Sequence, residues 1–362
     1  MNLLVLPNLG RSYNSVRPEA TIYIDLAKRG HQITIMTNDD DAYLQEYVNS
    51  GLKVLNISSK KKLSLSAIKT INRYIKSSNI DIVYATTSRT IPNAVWGVMA
   101  TKAKIIAYRG TTGGLYRTDL SNYLSVLNPR VDGFICVSKA VEKHVKAQVL
   151  GNQITRMIYK GHDIEWYQEP AVCLESLGSS PSFFNLMCVG SIRPHKGTFV
   201  VLDALATIKH LTNIKLILVG ENLNSVEFDQ YITKRGIEHM VIRTGFRADV
   251  PAVAKSCDVT ILPSKREGLP RVVLESLAVG TPVISTDNEG TLEIIEAQEN
   301  GLIFPVGDSQ ALANCIETVY KDSELLERLT TNAQTAIRTK FSHQATVEQY
   351  EQFFEEMMSK KT

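Results

Sequence analysis

A strand, a turn and a helix are predicted in succession around the stretch Ser264-Lys265-Arg266-Glu267-Gly268-Leu269-Pro270-Arg271-Val272-Val273-Leu274-Glu275. The apolar run 259–263 before it is typical of a buried strand. Pro270 suits the first position of a helix, because its missing N–H costs nothing there. The start of this helix therefore presents backbone N–H groups, including those of Gly268 and Leu269, as a site for phosphate.

Two carboxylates flank this predicted anion site. Glu267 lies in the turn before the helix, and Glu275 lies between one and two turns inside it. Carboxylates accept hydrogen bonds from neutral donors such as sugar hydroxyls. The combination favours a nucleotide-sugar ligand over a bare nucleotide. The alternative is that both glutamates are solvated side chains of a surface helix.

The composition indicates a globular protein with room for two domains. The chain has 362 residues, of which 44% are hydrophobic and 21% charged. No apolar run approaches the ~20 residues that a membrane-spanning helix needs. The first residues predict a strand and not a signal peptide, so we expect a cytoplasmic protein. Five scattered cysteines without a Cys-x-x-Cys pair predict buried thiols, and neither a zinc site nor a disulfide framework.

Strand-like and helical patterns alternate along the chain, which is typical of parallel sheets covered by helices. We therefore predict an α/β protein with two doubly wound, Rossmann-like domains that face each other across a cleft. The expected divisions are an N-terminal domain at 1–169, a linker at 170–184, a C-terminal domain at 185–341, and a last helix at 342–362 that crosses back to the N-terminal domain.

Charge is unevenly distributed between the two halves. Residues 1–169 hold 22 lysines and arginines against 13 acidic residues, a net charge of +9, whereas the remainder holds 18 against 24, a net charge of −6. A basic first half indicates an anionic partner for that half.

A basic segment without acidic residues runs from residue 60 to residue 76. Its leucine and isoleucines recur at helical spacing, and its lysines and arginine lie elsewhere on the helical wheel. One interpretation is an ordinary surface helix that packs its apolar stripe on the sheet. The other is a basic face apposed to an anionic membrane surface. Nucleic-acid binding is not expected, because the cations are not regularly interleaved with aromatic residues.

Two loops of the first half carry candidate ligand-binding residues. Gly10 follows the first predicted strand, but no Gly-x-Gly-x-x-Gly is present, so a nicotinamide-dependent enzyme is not expected. Gly10 alone is equally compatible with a plain turn. Arg109 ends a predicted strand before a glycine-rich loop, where a guanidinium suits either anion recognition or a structural ion pair.

The segments around residues 190 and 267 together resemble the retaining glycosyltransferases of family 4, which have the glycosyltransferase B fold. That family has two glutamates separated by seven residues, as Glu267 and Glu275 are here. Leu269 stands where the family usually has phenylalanine. A further family pattern, Val-Gly-Arg-Leu followed by three residues and Lys-Gly, is matched at Gly190 and at Lys196 with its following glycine.

The resemblance implies roles for these residues. Glu267 would contact the donor sugar, and Glu275 would hold the ribose hydroxyls. Lys196 would neutralise the donor diphosphate, together with Arg193, which lies two residues beyond the family's arginine position. Arg109 replaces a histidine that lies near the donor sugar in many relatives. The remaining positions implied to line the donor site are Gly10, Gly190, Ser191, Gly245, Phe246, Arg247, Gly268 and Leu269.

The resemblance therefore implies transfer of a sugar from a nucleotide-sugar donor to an acceptor hydroxyl, with retention at the anomeric carbon. Lys196 and Arg193 would stabilise the departing diphosphate, so no metal or other cofactor is expected. The expected acceptor is a glycan or lipid-linked glycan of bacterial lipopolysaccharide, capsule or exopolysaccharide synthesis. One alternative is a catalytically silent subunit that binds sugar nucleotides, and another is a sugar-nucleotide epimerase or phosphorylase of related fold.

Overall fold

The structure is a computed structural model that describes residues 1–7, 13–57, 61–190 and 192–359. The chain divides into two compact units. The N-terminal unit comprises Met1–Gly161 and His343–Thr362, and the C-terminal unit comprises His162–Ser342. The first segment of the N-terminal unit therefore ends at Gly161, before the expected domain end at residue 169.

The N-terminal unit contains a parallel sheet. Its strands within the described residues are β1 (Asn2–Leu6), β2 (Gln32–Thr37), β3 (Lys53–Asn56), β4 (Ile82–Ala85), β5 (Lys104–Arg109), β6 (Gly133–Cys136) and β7 (Ile154–Met157). They pair in the order β3-β2-β1-β4-β5-β6-β7. The order reverses between β1 and β4, and such a switch point is where doubly wound folds bind ligands.

Helices connect these strands. In the described part of the N-terminal unit they are α1 (Tyr13–Lys28), α2 (Leu44–Asn49), α3 (Leu65–Ser78), α4 (Thr90–Gly97) and α5 (Lys139–Gln148). Serine caps begin two of them: the Ser64 hydroxyl accepts from the Ala67 N–H, and that of Ser138 accepts from the Val141 N–H.

The C-terminal unit repeats this architecture. Its described strands are β8 (Phe184–Val189), β9 (Ile214–Val219), β10 (Val241–Gly245), β11 (Val259–Leu262), β12 (Val283–Thr286) and β13 (Gly301–Phe304). They are parallel in the order β10-β9-β8-β11-β12-β13, which reverses between β8 and β11. The helices that follow in chain order are α6 (Leu174–Leu177), α7 (Thr198–Thr207), α8 (Val226–Arg235), α9 (Val250–Lys255), α10 (Arg271–Ala278), α11 (Glu289–Leu292), α12 (Ser309–Lys321), α13 (Ser323–Thr339) and α14 (His343–Ser359), the last of which belongs to the N-terminal unit. Among the helices that the structure describes, none combines the length and the apolar character that a membrane crossing needs.

The segment 170–184, expected as a linker, is instead part of the C-terminal unit. The Val172 N–H donates to the Ala252 carbonyl at 3.3 Å, and the Ser256 hydroxyl donates to the Val172 carbonyl at 2.8 Å. Leu174 is buried beside Val253 of α9. The segment lacks a periodic pattern because it is held by hydrogen bonds to the C-terminal part of α9, and not because it is free of contacts.

Helix α14 supplies part of the N-terminal core. Tyr350, Phe353 and Phe354 are buried, and the Tyr350 hydroxyl lies 3.1 Å from that of Tyr84 in β4. At the surface, Arg29 pairs with Glu351 of α14 at 2.7 Å. The core of the N-terminal unit therefore depends on residues from both ends of the chain.

The cysteines are free thiols. Cys136, Cys188 and Cys257 are buried, and burial raises the pKa of each to about 12, which disfavours the reactive thiolate. Cys173 is exposed and Cys315 is partly exposed. The expectation of buried thiols therefore holds for three of the five and not for Cys173.

A buried ion pair joins α1 to the segment after β7. Lys160 Nζ lies 2.8 Å from Glu19 Oε2 and 4.5 Å from the centre of the Tyr108 ring. The Tyr23 hydroxyl donates to Glu19 Oε1 at 2.9 Å. Burial by itself would raise the pKa of Glu19, but attraction to Lys160 and the hydrogen bonds hold it below its ordinary value. Glu19 is therefore charged and compensated inside the core.

Replacing Lys160 by methionine should leave the Glu19 carboxylate buried without its cation, and should lower the free energy of unfolding by about 3–5 kcal/mol. The double variant Glu19→Leu/Lys160→Met should lose less free energy of unfolding than Lys160→Met, because no unpaired charge remains in the core. Denaturant unfolding at pH 7 measures both, with Lys28→Met as a control, since Lys28 forms an exposed pair with Asp25. Equal losses for Lys160→Met and Lys28→Met would show that the buried pair does not stabilise the unit.

Candidate active site

Two predicted site residues meet where the C-terminal sheet reverses its order. Lys196 lies in the loop after β8, and Glu267 lies in the loop after the neighbouring strand β11. Lys196 Nζ is 2.8 Å from Glu267 Oε1, and the two side chains are 30% and 19% exposed. The carboxyl ends of adjacent parallel strands share one edge of the sheet, so the topology itself brings these loops together.

A glycine allows the two loops to come this close. Gly197 has φ +69°, and a Cβ at this position would lie 2.1 Å from the Pro263 carbonyl oxygen. The loops are also joined by a hydrogen bond from the Lys265 N–H, two residues after Pro263, to the carbonyl of His195, two residues before Gly197, at 2.8 Å. A side chain at position 197 would separate the loops and move Lys196 away from Glu267.

Glu275 lies inside α10 and is only 2% exposed, so the alternative of two solvated glutamates on a surface helix is wrong for this residue. Its Oε1 lies 3.2 Å from Arg271 Nε. Burial raises the pKa of Glu275 to about 7, although Arg271 acts in the opposite direction. A carboxyl held in this way titrates near neutral pH.

Helix α10 begins one residue later than predicted. Pro270 is the N-cap, and not the first helical residue, because its ψ of 110° is extended. Gly268 is buried and Leu269 is partly buried in the loop just before this cap. Both residues therefore precede the N-terminus of α10, as the anion-site prediction requires.

The loop after β8 contains three further predicted residues. The Gly190 N–H donates to the Val219 carbonyl at 3.0 Å, and a Cβ on Gly190 would lie 3.7 Å from Lys196 Cβ. Arg193 has an exposed side chain next to the turn that holds Lys196. Ser191 lies outside the described residues. The structure thus places Gly190 beside Lys196 and leaves the Arg193 guanidinium in solvent.

A cavity of about 460 Å³ opens at the ends of β9 and β10, on the same edge of the sheet. It is lined by residues 220–225 with Gly245 and Phe246. Phe246 is 58% exposed, so it is not a core residue. Arg247 is held by Asp249, with Nε 2.9 Å from Oδ1 and Nη2 2.6 Å from Oδ2. The Phe246 ring is therefore available to a ligand, whereas the Arg247 guanidinium is occupied by its neighbour.

In the N-terminal unit, Arg109 forms hydrogen bonds with its own loop. Its Nη2 donates to the carbonyls of Thr111 and Gly113 at 3.2 and 2.8 Å, and its Nε is buried without a hydrogen-bond partner. Burial lowers the pKa of Arg109. Within the described ranges no carboxylate pairs with it, which disfavours the structural ion pair. Gly10 lies outside the described residues.

Asp39-Asp40-Asp41 has the Asp-x-Asp form that binds metals in some transferases, but its contacts are those of a turn. Asp41 Oδ2 accepts from the Thr37 hydroxyl at 2.7 Å, and Oδ1 accepts from the Tyr43 N–H at 2.9 Å. Over the described ranges, no group of three or more His, Cys, Asp or Glu side chains is arranged to hold a metal ion.

The sequence prediction missed the residues behind the Glu267 loop. Thr286 and Asn288 donate hydrogen bonds to the Ser264 carbonyl, and Gly290 packs against the carbonyls of Glu267 and Gly268. An asparagine followed by Glu-Gly after an apolar strand is a turn signal that draws attention to this segment, but it does not reveal its partner.

Solved structures with this architecture define the class of protein. The crystal structure of Anabaena HepE in complex with UDP and glucose is 23% identical, has a TM-score of 0.80, and matches over 98% of this chain and 100% of that one. Together with the two parallel sheets described above, this likeness assigns the chain to the glycosyltransferase B fold.

Two family models cover most of the chain. The model described as Glycosyltransferase Family 4 matches residues 21–166, and the model described as Glycosyl transferases group 1 matches residues 176–336. The chain therefore belongs to glycosyltransferase family 4.

Two curated relatives each match about half of the chain. The putative glycosyltransferase EpsD of Bacillus subtilis is 32% identical over 190 residues, which are 52% of this chain and 49% of that protein. The lipopolysaccharide core biosynthesis glycosyltransferase LpsE of Rhizobium meliloti is 30% identical over 165 residues, or 46% and 48%. The chain thus spans about half the length of these two relatives.

Glu275 should make stability depend on pH. Its folded pKa of about 7 lies above the ordinary value of 4.5, so the folded protein binds more protons than the unfolded chain between these pH values. The free energy of unfolding should therefore fall as the pH rises from 5 to 8, by up to roughly 3 kcal/mol from this residue.

Glu275→Gln should remove this part of the pH dependence, as measured by denaturant unfolding at pH 5 and pH 8. Glu327→Gln, at an exposed position of α13, is the control and should leave it unchanged. If wild type and Glu275→Gln lose the same stability over this range, Glu275 does not titrate there.

Proposed function

We propose that this protein is a retaining, metal-independent glycosyltransferase that moves a sugar from a nucleotide-sugar donor to an acceptor hydroxyl in the cytoplasm. The observation that carries the proposal is the meeting of Lys196 and Glu267 at the point where the C-terminal sheet reverses. A cation for phosphate and a carboxylate for sugar hydroxyls are the two groups that a sugar diphosphate requires.

The surrounding residues support a donor that lies along this edge of the sheet. The diphosphate would lie against Lys196 and the N–H groups of Gly268 and Leu269, before the N-terminus of α10. Glu275 would accept hydrogen bonds from the ribose hydroxyls, and the cavity beside Phe246 would take the base. Bound UDP in the HepE crystal structure supports this class of ligand.

The ion pair between Lys196 and Glu267 has to open for the donor to bind. A diphosphate carries more negative charge than one carboxylate, so it would displace Glu267 from the Lys196 ammonium. The Glu267 carboxylate would then be released to accept hydrogen bonds from the donor sugar. One ion pair thus keeps both groups close to the positions that the donor uses.

The reaction would proceed through an oxocarbenium-like transition state. The bond from the anomeric carbon to the phosphate oxygen breaks, and the acceptor oxygen forms its bond on the same face. The acceptor's proton passes to the departing phosphate. Lys196 would stabilise the charge that develops on this leaving group, and Arg193 would do so after moving from its exposed position. These two cations support the proposal that no metal is needed.

Arg109 and the family relatives support the assignment of the acceptor side. The Arg109 guanidinium is held by carbonyl oxygens at the end of β5, which leaves its charge uncompensated for an anionic or polar acceptor group. LpsE is named as a lipopolysaccharide core glycosyltransferase. We propose a glycan or lipid-linked glycan of bacterial lipopolysaccharide, capsule or exopolysaccharide synthesis as the acceptor.

The geometry of α3 supports contact with an anionic membrane surface. Ala67, Ile71 and Ile75 are buried against the unit, and the opposite side presents Leu65, Lys69, Arg73 and Lys76, which are all exposed. Residues 61–80 contain no acidic side chain. A stripe of cations that points away from the sheet matches the charge of anionic lipids.

Two exposed leucines lie in segments that are both joined to α4, one of them at the start of α3. Leu65 is 78% exposed and Leu120 is 80% exposed. Helix α4 connects their two segments: Asn93 accepts from the Ser64 N–H at 2.9 Å, and Trp96 Nε1 donates to the Leu124 carbonyl at 3.2 Å. Leucines beside cations form the kind of surface that enters the headgroup region of a bilayer.

The donor assignment is tested by calorimetric titration with UDP, GDP, ADP and CMP in the presence of EDTA. One nucleotide should bind, and Glu275→Ala should weaken its binding about tenfold or more, because ribose contacts to a buried carboxylate are lost. Glu327→Ala, an exposed change, should not alter it. Binding that requires added Mg²⁺ would refute metal independence.

Turnover with the matching nucleotide-sugar then separates the enzyme from the alternatives. Transfer with the anomeric configuration of the donor retained is the expected outcome. An inverted product would contradict retention. Tight nucleotide binding without turnover would indicate a silent subunit, which the changes at Arg109, Ser191 and Leu269 would explain. Conversion without an acceptor, or cleavage that depends on phosphate, would indicate an epimerase or a phosphorylase.

Membrane contact is tested by sedimentation with vesicles that contain phosphatidylglycerol, compared with vesicles of phosphatidylcholine alone. The triple variant Lys69→Gln/Arg73→Gln/Lys76→Gln should bind the anionic vesicles roughly 10- to 100-fold more weakly, at ~1 kcal/mol per cation. The control neutralises three exposed cations of the C-terminal unit: Lys209, Lys234 and Arg328. Equal binding of the anionic vesicles by the two triple variants would contradict the assignment of membrane contact to α3.

A further inference from the structure

A group of buried side chains at the end of β12 and just after it holds the loop that carries Glu267. The Thr286 hydroxyl donates to the Ser264 carbonyl at 2.6 Å, and Asn288 Nδ2 donates to the same oxygen at 3.2 Å. Asn288 Nδ2 also lies 2.9 Å from Thr286 Oγ1. Both residues are buried. The first residue of the Glu267 loop is thus fixed through its main chain.

Asn288 also fixes the helix that follows it. Its Oδ1 accepts from the Thr291 N–H at 3.1 Å, which caps α11. The short helix is therefore joined, through one amide side chain, to the Ser264 carbonyl.

Gly290, in α11, supports the same loop from behind. A Cβ on Gly290 would lie 2.5 Å from the Glu267 carbonyl oxygen and 2.8 Å from that of Gly268. Both neighbours are backbone atoms, which cannot turn aside as a side chain can. Any residue larger than glycine at this position has to displace the backbone of Glu267.

We propose that Thr286, Asn288 and Gly290 are positioning residues of the donor site, which set the place of the Glu267 carboxylate relative to Lys196. The contacts described above reach the backbone of the Glu267 loop and not the carboxylate itself. They act through the loop backbone, whose other side is bonded to the Lys196 turn by the Lys265 N–H. An effect of these residues on catalysis rests on the proposed function. Their effect on the position of the Glu267 carboxylate does not depend on that function.

The chain offers a matched pair of threonines for the test. Thr286 Oγ1 bonds to the Ser264 carbonyl, whereas Thr291 Oγ1 is buried without a hydrogen-bond partner. Replacing either by valine preserves volume and removes one hydroxyl. Only Thr286→Val removes a hydrogen bond to the Glu267 loop.

In steady-state kinetics with the donor, Thr286→Val should lower kcat about 10- to 100-fold, the size expected for a displaced catalytic group. Affinity for the nucleoside diphosphate without its sugar should not fall, because in the proposed site Glu267 contacts only the sugar, and a weakened ion pair leaves Lys196 more available to the phosphates. Thr291→Val should match wild type, and Thr286→Ser should restore most of the rate. Gly290→Ala should act in the same direction as Thr286→Val. Equal rates for Thr286→Val and Thr291→Val would overturn the proposal.

A second readout does not need activity. The NMR signal of the Lys196 Nζ group should move in Thr286→Val toward its position in Glu267→Gln, where the ion pair is absent, and should not move in Thr291→Val. If the wild-type protein transfers no sugar, the proposed function fails and this signal still decides the positioning role. A Lys196 signal that is unchanged in Thr286→Val would refute it.

Discussion

The arrangement of the C-terminal site depends on a close backbone contact at Gly197, where there is no room for a side chain. Gly197 lies against the Pro263 carbonyl, and this contact lets the loops after β8 and β11 approach closely enough to share a backbone hydrogen bond. The reversal of strand order makes these two loops neighbours, and the glycine determines how near they come. The Lys196 and Glu267 side chains meet because the backbones of these two loops are held close together by the contact at Gly197 and by the shared hydrogen bond. The end of β12 and the loop that follows it form hydrogen bonds with the Ser264 carbonyl and so hold the Glu267 loop as well.

Two of the lysine–glutamate pairs, Lys160–Glu19 and Lys196–Glu267, differ in how far their surroundings allow the charges to separate. The pair in the N-terminal unit is enclosed by tyrosines. Removal of either charge would leave the other buried in the core without a partner. The pair in the C-terminal unit is partly exposed, so water can replace either partner and its net contribution to stability is small, about 0–1 kcal/mol. The first pair therefore serves structure, whereas the second can be exchanged for a ligand at little cost.

The sequence predicted the elements of the fold well, because apolar strands and the turns between them are local patterns. The strand predicted within 259–263 is confirmed as β11. The burial of Glu275 could not be predicted from spacing, since it depends on how α9 and α13 pack on α10. Asn288 was missed for a similar reason: its partner Ser264 lies on a loop that only the pairing of β11 with β12 brings near. The segment 170–184 was mistaken for a linker because its hydrogen bonds to α9 produce no periodic pattern in the sequence.

The return of α14 to the first unit has a consequence for how the chain matures. About 180 residues, from His162 to Ser342, separate the two parts of the N-terminal unit. At ~5–20 residues per second, a ribosome needs roughly ten seconds or more to make them. During that time Tyr84 and its neighbours lack the aromatic side chains of α14 that cover them. The C-terminal unit, which is continuous in sequence, has all of its strands earlier. The N-terminal unit is therefore begun first but can be completed only once α14 has been made.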